Sequence, residues 1–546
     1  MKKVVLSICA VFLSSALTWM EPVSSKEVPP VSRMIVEKDV PIPMRDGLKL
    51  AANIYRPDKP GKYPVIMGFT SHSKDGFWSA RSSFPGVAYE PWSPTVTGGF
   101  VVPVVFEAED PAFWVPHGYV IIIVDPRGFG RSPGTITMPS VMASASLPVA
   151  RYGIWARDMY DAIEWAGRQE WGNGNVGLSG VSVLAFAQWR VAGLNPPHLK
   201  AICPWEGNVG GERRSGGIPR KESQERETRN PAWPPPEKED PPAPVLKEEN
   251  ELLAEITVPA LICGTWSDQL VHNPESFWGF QKISSKYKWL YTHGRDKQAE
   301  YCSSEAQTLR RMFYDYFLKG TDDRILSMPR VRMEVRETLD KYTVRWEDDF
   351  PIPRTQYKRL FLDATDQTLK FDIPRQESKV SYNSADGKVT FDFTFKQETE
   401  LTGNMSLNLW VSPEDADDMD LYVTVRKLDR NGNEVTFEAV GSVAVGLLRL
   451  SYRELDEEKS TPWEPYLKTC LGPGKKVKVR EIVPCKIPIW PSSTLFRKGE
   501  MLRLEVSGTS RLYRPANTMN KGMHSIYLGG KFDSYLLIPT VPPKSH

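Results

Sequence analysis

The segment that most constrains how this chain can fold is Gly177-Leu178-Ser179-Gly180-Val181-Ser182-Val183-Leu184-Ala185. A short apolar run, Asn175 to Ser179, enters a Gly-x-Ser turn, and an apolar helical pattern through Phe186, Ala187 and Trp189 leaves it. A strand that turns directly into a helix at a serine leaves no room for a side chain two places earlier, and Gly180 stands there. The hydroxyl then projects above the sheet, and the first N–H groups of the new helix point at the space in front of it. Glycine is absent two places after the serine. Leu184 holds that position, and Ala185 is the small residue that lets helix and strand approach. Ser179 is a rival nucleophile but reads as the last strand residue.

At 546 residues the chain exceeds one hydrophobic core and calls for at least two domains. Its 40% hydrophobic and 25% charged content suit a soluble globular protein, and a net charge of +2 offers no electrostatic case for nucleic acid. Lys2 and Lys3 precede an apolar run from Val4 to Trp19, short for a membrane span and suited to a signal-peptide core over residues 1–25. Val23-Ser24-Ser25 offers small residues for cleavage, so the expected location is secreted or periplasmic, with the cytoplasm as alternative. Cys203 and Cys263 lie in strand-like runs, whereas Cys470 and Cys485 flank a Gly-Pro-Gly stretch and would close a loop disulfide in an exported protein.

Up to about Pro353 strands and helices alternate. Val36 to Pro43 and Leu48 to Tyr55 flank the Arg45-Asp46-Gly47 turn, and Pro64 to Thr70 and Tyr119 to Asp125 are continuous apolar runs. Ala156 to Arg168 is amphipathic, strands follow at Ala201 to Trp205, Val258 to Trp266 and Lys286 to His293, and a helix from Glu305 to Leu318 ends at Gly320. This predicts a mostly parallel sheet covered on both faces, the α/β-hydrolase class, over residues 26–353. Two segments interrupt it. The aromatic-rich insertion 71–117 is expected to roof the site in part, and the charged, proline-rich 206–255 stands where a cap domain would, reduced in size. Over 354–546 short strand patterns replace helical ones: Leu360 to Leu362, Val389 to Phe395, Met405 to Leu409, Leu421 to Leu428, Lys476 to Val483, Met501 to Val506 and Tyr535 to Ile538. An all-β jelly-roll sandwich is predicted, with a hairpin turn at Asp429-Arg430-Asn431-Gly432.

A serine hydroxyl needs a base, and the base needs a fixed tautomer. In this fold the order is serine, acid, histidine, with the last two on loops after later strands. Strand 258–266 runs into Ser267-Asp268, and strand 286–291 into Thr292-His293-Gly294. Asp268 and His293 are therefore the expected orienter and base of Ser182. His272, four places past Asp268, is the rival base, ranked lower because it does not directly follow a strand. No spacing suggests a metal site or an organic cofactor. Asp417-Asp418-Met419-Asp420 lacks a calcium loop's spacing and reads as a solvated turn, and Asn404-Met405-Ser406 is a glycosylation sequon inside a predicted strand.

Taken together these residues resemble the cocaine esterase / X-Pro dipeptidyl-peptidase family, the S15-like CocE/NonD hydrolases. The resemblance runs from about Val36 to the C-terminus. It includes Met44-Arg45-Asp46-Gly47-Leu48-Lys49-Leu50, Asp125-Pro126-Arg127-Gly128-Phe129-Gly130-Arg131-Ser132, Gly174-Asn175-Val176-Gly177, Trp266-Ser267-Asp268, Thr292-His293-Gly294 and Phe317-Leu318-Lys319-Gly320. In the β-rich half it includes Gly403, Asp418-Met419-Asp420 and Arg497-Lys498-Gly499. The resemblance implies the triad Ser182, Asp268 and His293, no cofactor, and a jelly-roll C-terminal domain. It also implies an oxyanion hole from the Val183 N–H and a tyrosine hydroxyl. His72 occupies that tyrosine's position in Ser71-His72-Ser73-Lys74, so the second donor is expected to be its imidazole N–H or a backbone amide, with a packing role for His72 as the alternative.

The expected function is a serine hydrolase that cleaves an ester or amide through an acyl-enzyme, on a small-molecule or short-peptide substrate. The alternatives are an acyltransferase passing the acyl group to an alcohol or amine, an X-Pro dipeptidyl-peptidase with Glu206 as its one candidate amine anchor, and a non-catalytic binding protein on the same scaffold. No stable membrane span is expected, and a homo-oligomer is left open.

Overall fold

The computed structural model describes residues 34–75, 95–97, 100–102, 105–134, 152–209, 215–219, 249–269, 271–437, 441–470, 473–511 and 513–544. The expected signal peptide, residues 76–94, 98–99 and 103–104 of the 71–117 insertion and most of the 206–255 segment lie outside the described residues.

The N-terminal half is organised by a sheet. β1 (Met34–Pro43) and β2 (Lys49–Pro57) form the antiparallel hairpin that the Arg-Asp-Gly turn predicts, with Ile42 opposite Leu50. β3 (Tyr63–Phe69) is followed by the short hairpin β4 (Thr95–Thr97) and β5 (Phe100–Val102), and then by β6 (Val120–Val124). After β7 (Gly172–Val181) come β8 (Leu199–Trp205), β9 (Ala260–Thr265), β10 (Lys288–His293), β11 (Val331–Arg336) and β12 (Tyr342–Glu347). Pairing gives the spatial order β1-β2-β6-β3-β7-β8-β9-β10-β11-β12, parallel from β6 to β11 and antiparallel at both ends.

The local reasons are plain in the sequence. β6 is Val-Ile-Ile-Ile-Val, buried throughout, because a central parallel strand is covered on both faces and has no solvent side to alternate toward. One face packs on Met159, Ile163 and Ala166 of the Tyr152–Gly167 helix, whose apolar residues recur at helical spacing. The other packs on Trp114, Leu309, Phe313 and Leu318. The Ser304–Tyr314 helix is capped by the Ser303 hydroxyl on the Ala306 N–H and runs on to Gly320, which takes φ +70° and ends it as predicted.

Beyond Pro353 the described secondary structure is strands and one short 3₁₀ turn. Thr399–Pro413 pairs with Val483–Phe496 along almost its whole length and with Tyr535–Thr540. Met501–Ser507 lies between Lys388–Thr394 and Asp420–Leu428. Leu407, Leu409, Val423, Val425 and Leu504 fill the core between these strands. The two halves meet through main-chain pairing of Arg336 with Thr494, which makes the β-structure continuous between them.

Several expectations are corrected here. Lys476 to Val483 is not a strand; the strand starts at Val483, and Val479 is left about half exposed. Cys470 and Cys485 are both buried in the β-rich core and do not form a disulfide. The acidic cluster is not a solvated turn. Asp420 is fully buried against the Arg449 guanidinium at 2.7 Å, and the Asp418 carboxylate accepts the N–H groups of Met419 and Ser451. Asn404 is buried in its strand, so its sequon is inaccessible in the folded chain.

Candidate active site

β7 ends at Val181, and the Val183–Ala192 helix begins two residues later. Ser182 alone makes the turn, at φ +58° and ψ −115°, a conformation that non-glycine residues occupy only when their surroundings enforce it. The Val181 N–H donates to the Glu107 carbonyl at 2.9 Å, the Ser182 N–H to the Trp205 carbonyl at 3.0 Å, and the Phe186 N–H returns to the Ser182 carbonyl at 2.9 Å. Gly180 has φ +137°, and a Cβ there would lie 2.5 Å from the Leu184 Cβ. The small residue two before the serine is thus a steric requirement. Ala185 also has its predicted use, since its Cβ lies where a side chain at Gly207 would overlap it. Ser179 is buried and its hydroxyl donates to Glu109 at 2.6 Å, which removes it as a nucleophile.

Ser182 is partly exposed, and its Oγ lies 3.1 Å from Nε2 of His272. Nδ1 of that ring is 2.6 Å from Oδ2 of Asp268. A carboxylate only accepts, so Asp268 holds the proton on Nδ1 and leaves Nε2 as an acceptor facing the serine. The pair is local. The N–H groups of His272 and Asn273 return to the Asp268 carbonyl, forming a single helical turn that sets residues four apart on one face. Side chains within that turn fix it to the β-rich half. Gln269 donates to the carbonyls of Trp266 and Pro491, and Asn273 donates to those of Thr265 and Pro491.

His293 was the expected base, and the structure gives it another partner. Its Nε2 lies 2.8 Å from Oε1 of Glu206, and its Nδ1 accepts the Arg295 N–H at 3.2 Å. Both groups are fully buried. Burial opposes charge on this imidazole, yet the facing Glu206 carboxylate holds its pKa above the ordinary value. Glu206 also sits near the first histidine, with Oε2 4.0 Å from Nδ1 of His272. Glu206, Asp268 and His272 offer ligand atoms within 4.8 Å of one another, as do Glu206, Cys263 and His293. Burial pushes the Cys263 thiol well up, against the thiolate a metal would require.

His72 is also engaged. Its Nε2 lies 3.1 Å from Oε2 of Glu107, whose other oxygen receives the Lys297 ammonium at 2.6 Å. Burial acts to raise the Glu107 carboxyl, but Lys297 and His72 outweigh it and bring its pKa down to about 2. The Glu107 carboxylate thus engages one of the two ring nitrogens of His72. The Val183 N–H, first in its helix, keeps the expected position behind the serine. Glu107 and Lys297 stand beside these groups and no motif marks them, while Glu206 is marked in the sequence only as a candidate amine anchor. The Asp-x-x-x-His spacing of 268 and 272 was the signal available for the histidine.

Comparison with known proteins identifies the family. Residues 46–230 match the model of the X-Pro dipeptidyl-peptidase (S15 family), and residues 325–537 match that of the X-Pro dipeptidyl-peptidase C-terminal non-catalytic domain. A cocaine esterase of Rhodococcus sp. (strain MB1 Bresler) is 24% identical over 631 aligned residues, covering 93% of this chain and 98% of that protein. Among solved structures, an aminopeptidase from a marine sediment Thaumarchaeota archaeon shares the fold at 16% identity, with TM-score 0.70 over 97% of this chain and all of its own. A CocE/NonD family hydrolase from Staphylococcus aureus is 38% identical, with TM-score 0.81 over 93% of this chain and 94% of its own. With that identity along nearly the whole length of both proteins, the chain belongs to the CocE/NonD family of hydrolases.

Proposed function

We propose that this protein hydrolyses an ester or amide through an acyl-enzyme on Ser182, with His272 as general base and Asp268 as its orienter. The observation that carries the reading is the run of contacts from Ser182 Oγ to His272 Nε2 at 3.1 Å and from His272 Nδ1 to Asp268 Oδ2 at 2.6 Å, at a strained strand-to-helix turn. Attack by Oγ on the substrate carbonyl transfers the hydroxyl proton to Nε2. The imidazolium, stabilised by Asp268, then gives it to the leaving group. Water repeats the cycle on the acyl-enzyme. The Val183 N–H at the helix start is assigned to the oxyanion. The fold reading that goes with this is an α/β-hydrolase domain followed by a jelly-roll domain.

The named activity of the cocaine esterase relative supports an ester as substrate. An anchor for a peptide's free amine at Glu206 has no support, because that carboxylate is fully buried and holds His293. The test is labelling by a fluorophosphonate together with p-nitrophenyl ester turnover. Ser182→Ala should lose both while keeping its thermal transition, and retention of either activity would overturn the assignment.

A further inference from the structure

Glu206 follows β8 at φ +50°, in the left-handed region that a glutamate enters only when its surroundings enforce it. Its N–H donates to the Cys263 carbonyl at 3.0 Å, and the Trp205 carbonyl just before it accepts the Ser182 N–H. The strained residue is therefore tied to the main chain of the serine turn. Its side chain is fully buried, and its two carboxylate oxygens are used unequally. Oε1 takes the His293 ring at 2.8 Å, whereas Oε2 has no hydrogen-bond partner among the described residues and lies 4.0 Å from Nδ1 of His272. A structural pairing with His293 explains the first oxygen only. A buried carboxylate oxygen left without a donor is costly, and nothing in that pairing offsets the cost.

The ring that Oε2 faces is one that changes charge. At 4.0 Å the contact is too long for a hydrogen bond, and Asp268 already accepts the Nδ1 proton at 2.6 Å. Attraction between charges needs no such geometry, and burial leaves it little screened. It is weak while His272 is neutral and strong once the ring has taken the serine proton, so it favours the transition state over the ground state. The groups around this ring come from several elements: Ser182 at the β7 turn, Asp268 on the ring's own turn, Glu206 after β8, and His293 beyond it at the end of β10. Glu275 opens the next helix. The Arg295 N–H donates to Nδ1 of His293, which places that ring's proton on Nε2 and leaves the Glu206 carboxylate its charge. Burial opposes the charge of Lys297, yet Glu107, Asp268 and Glu206 hold its pKa above the ordinary value, and its ammonium is matched by Glu107 at 2.6 Å.

We infer that Glu206 is a positioning residue acting through His272: its second carboxylate oxygen stabilises the imidazolium formed during attack, while Asp268 holds the proton on Nδ1. The inference rests on the proposed assignment of Ser182 and His272, and Glu206 itself takes no proton. Glu206→Gln is isosteric, keeps an acceptor for the His293 N–H and removes the charge. With p-nitrophenyl butyrate, kcat should fall about tenfold and KM stay within about twofold. The acid limb of kcat/KM should move about one unit to lower pH, because the ring loses an anion that favours its charged form. Glu206→Asp draws the carboxylate back by one methylene and should move the limb the same way by a smaller step, so it carries the test if the glutamine variant does not fold. A role confined to structure would lower the thermal transition and leave the limb where it stands. An unmoved limb, or one displaced to higher pH, in either folded variant would overturn the inference. If Ser182→Ala and His272→Ala are then both inactive, the assignment of serine and base survives that failure. If His272→Ala retains its rate, that assignment falls and the inference falls with it.

Discussion

Two histidines lie within reach of the same buried carboxylate, and replacing each in turn separates their roles. In His272→Ala the group 3.1 Å from the Ser182 hydroxyl is gone, and among the described residues no other group accepts that hydroxyl's proton. Loss of the general base in a serine triad costs about 10⁴-fold or more in kcat, equivalent to about 5.5 kcal/mol of transition-state stabilisation. His293 contacts Glu206 instead, so its removal acts on stability. Alanine would leave the Glu206 carboxylate buried and uncompensated, a loss of about 3–5 kcal/mol. His293→Asn, which keeps an N–H donor at a smaller cost to the fold, is the better probe. The assay is steady-state hydrolysis of p-nitrophenyl butyrate at pH 7.5, with thermal unfolding followed in parallel. His272→Ala should lose about 10⁴-fold in kcat with little change in Tm, and added imidazole should restore part of the rate. His293→Asn should stay within about tenfold of the parent in kcat and unfold at a lower temperature. If His293→Asn falls as far as His272→Ala, or His272→Ala keeps most of its rate, the geometric assignment of the base is wrong.

Three other outcomes test neighbouring steps of the reasoning. Asp268→Asn presents an amide N–H to Nδ1 of His272 and turns the ring's proton toward the serine, so kcat should drop about 10⁴-fold with KM little changed in the same assay. Gly180→Ala forces a Cβ to 2.5 Å from that of Leu184 at a φ of +137°, and urea unfolding should show a loss of about 3 kcal/mol together with reduced turnover. Glu107 has its folded pKa lowered to about 2 from an ordinary 4.5, so the stability it contributes is present above pH 4.5 and is lost as pH falls toward 2. That difference is worth on the order of 3 kcal/mol, and Glu107→Gln should flatten the decline in stability across this range in acid titrations at constant ionic strength.

Much of the scaffold could be read from local pattern because each element carries its own reason. The unbroken β-branched run of β6, the glycine that caps the helix ending at 320 and the crowding that demands glycine at 180 are all dictated within a few residues. Reading failed where the outcome depended on a distant neighbour. Lys476 to Val483 alternates like a strand, yet before Val483 only the isolated N–H groups of Val477 and Arg480 reach the Asp417 and Pro413 carbonyls and no described strand forms a ladder with it, and strand preference without a partner is weak. Cys470 and Cys485 flank a loop as a disulfide would, but both thiols are absorbed singly into the core. Asp420 looks solvated in sequence until Arg449, from the adjoining strand, is placed against it.

The histidine is where sequence rule and geometry differ most. The rule that acid and base follow successive strands leads to His293 at the end of β10, whereas the imidazole that contacts the Ser182 hydroxyl is that of His272, and two imidazoles reach the same region from different elements. What selects between them is not on either strand. The turn from Asp268 to His272 is closed by its own main chain and then fastened through Gln269 and Asn273 to the carbonyl of Pro491, on a strand of the other half of the protein. Arg336 adds a second link, from the end of β11 to the hydroxyls of Ser267 and Ser492. The β-rich half therefore holds the turn that carries His272, the proposed base. Orientation that costs no reorganisation during reaction is where such sites gain most of their rate, and here that orientation comes from residues more than two hundred positions beyond the serine. A sequence rule built on one domain could not have contained it.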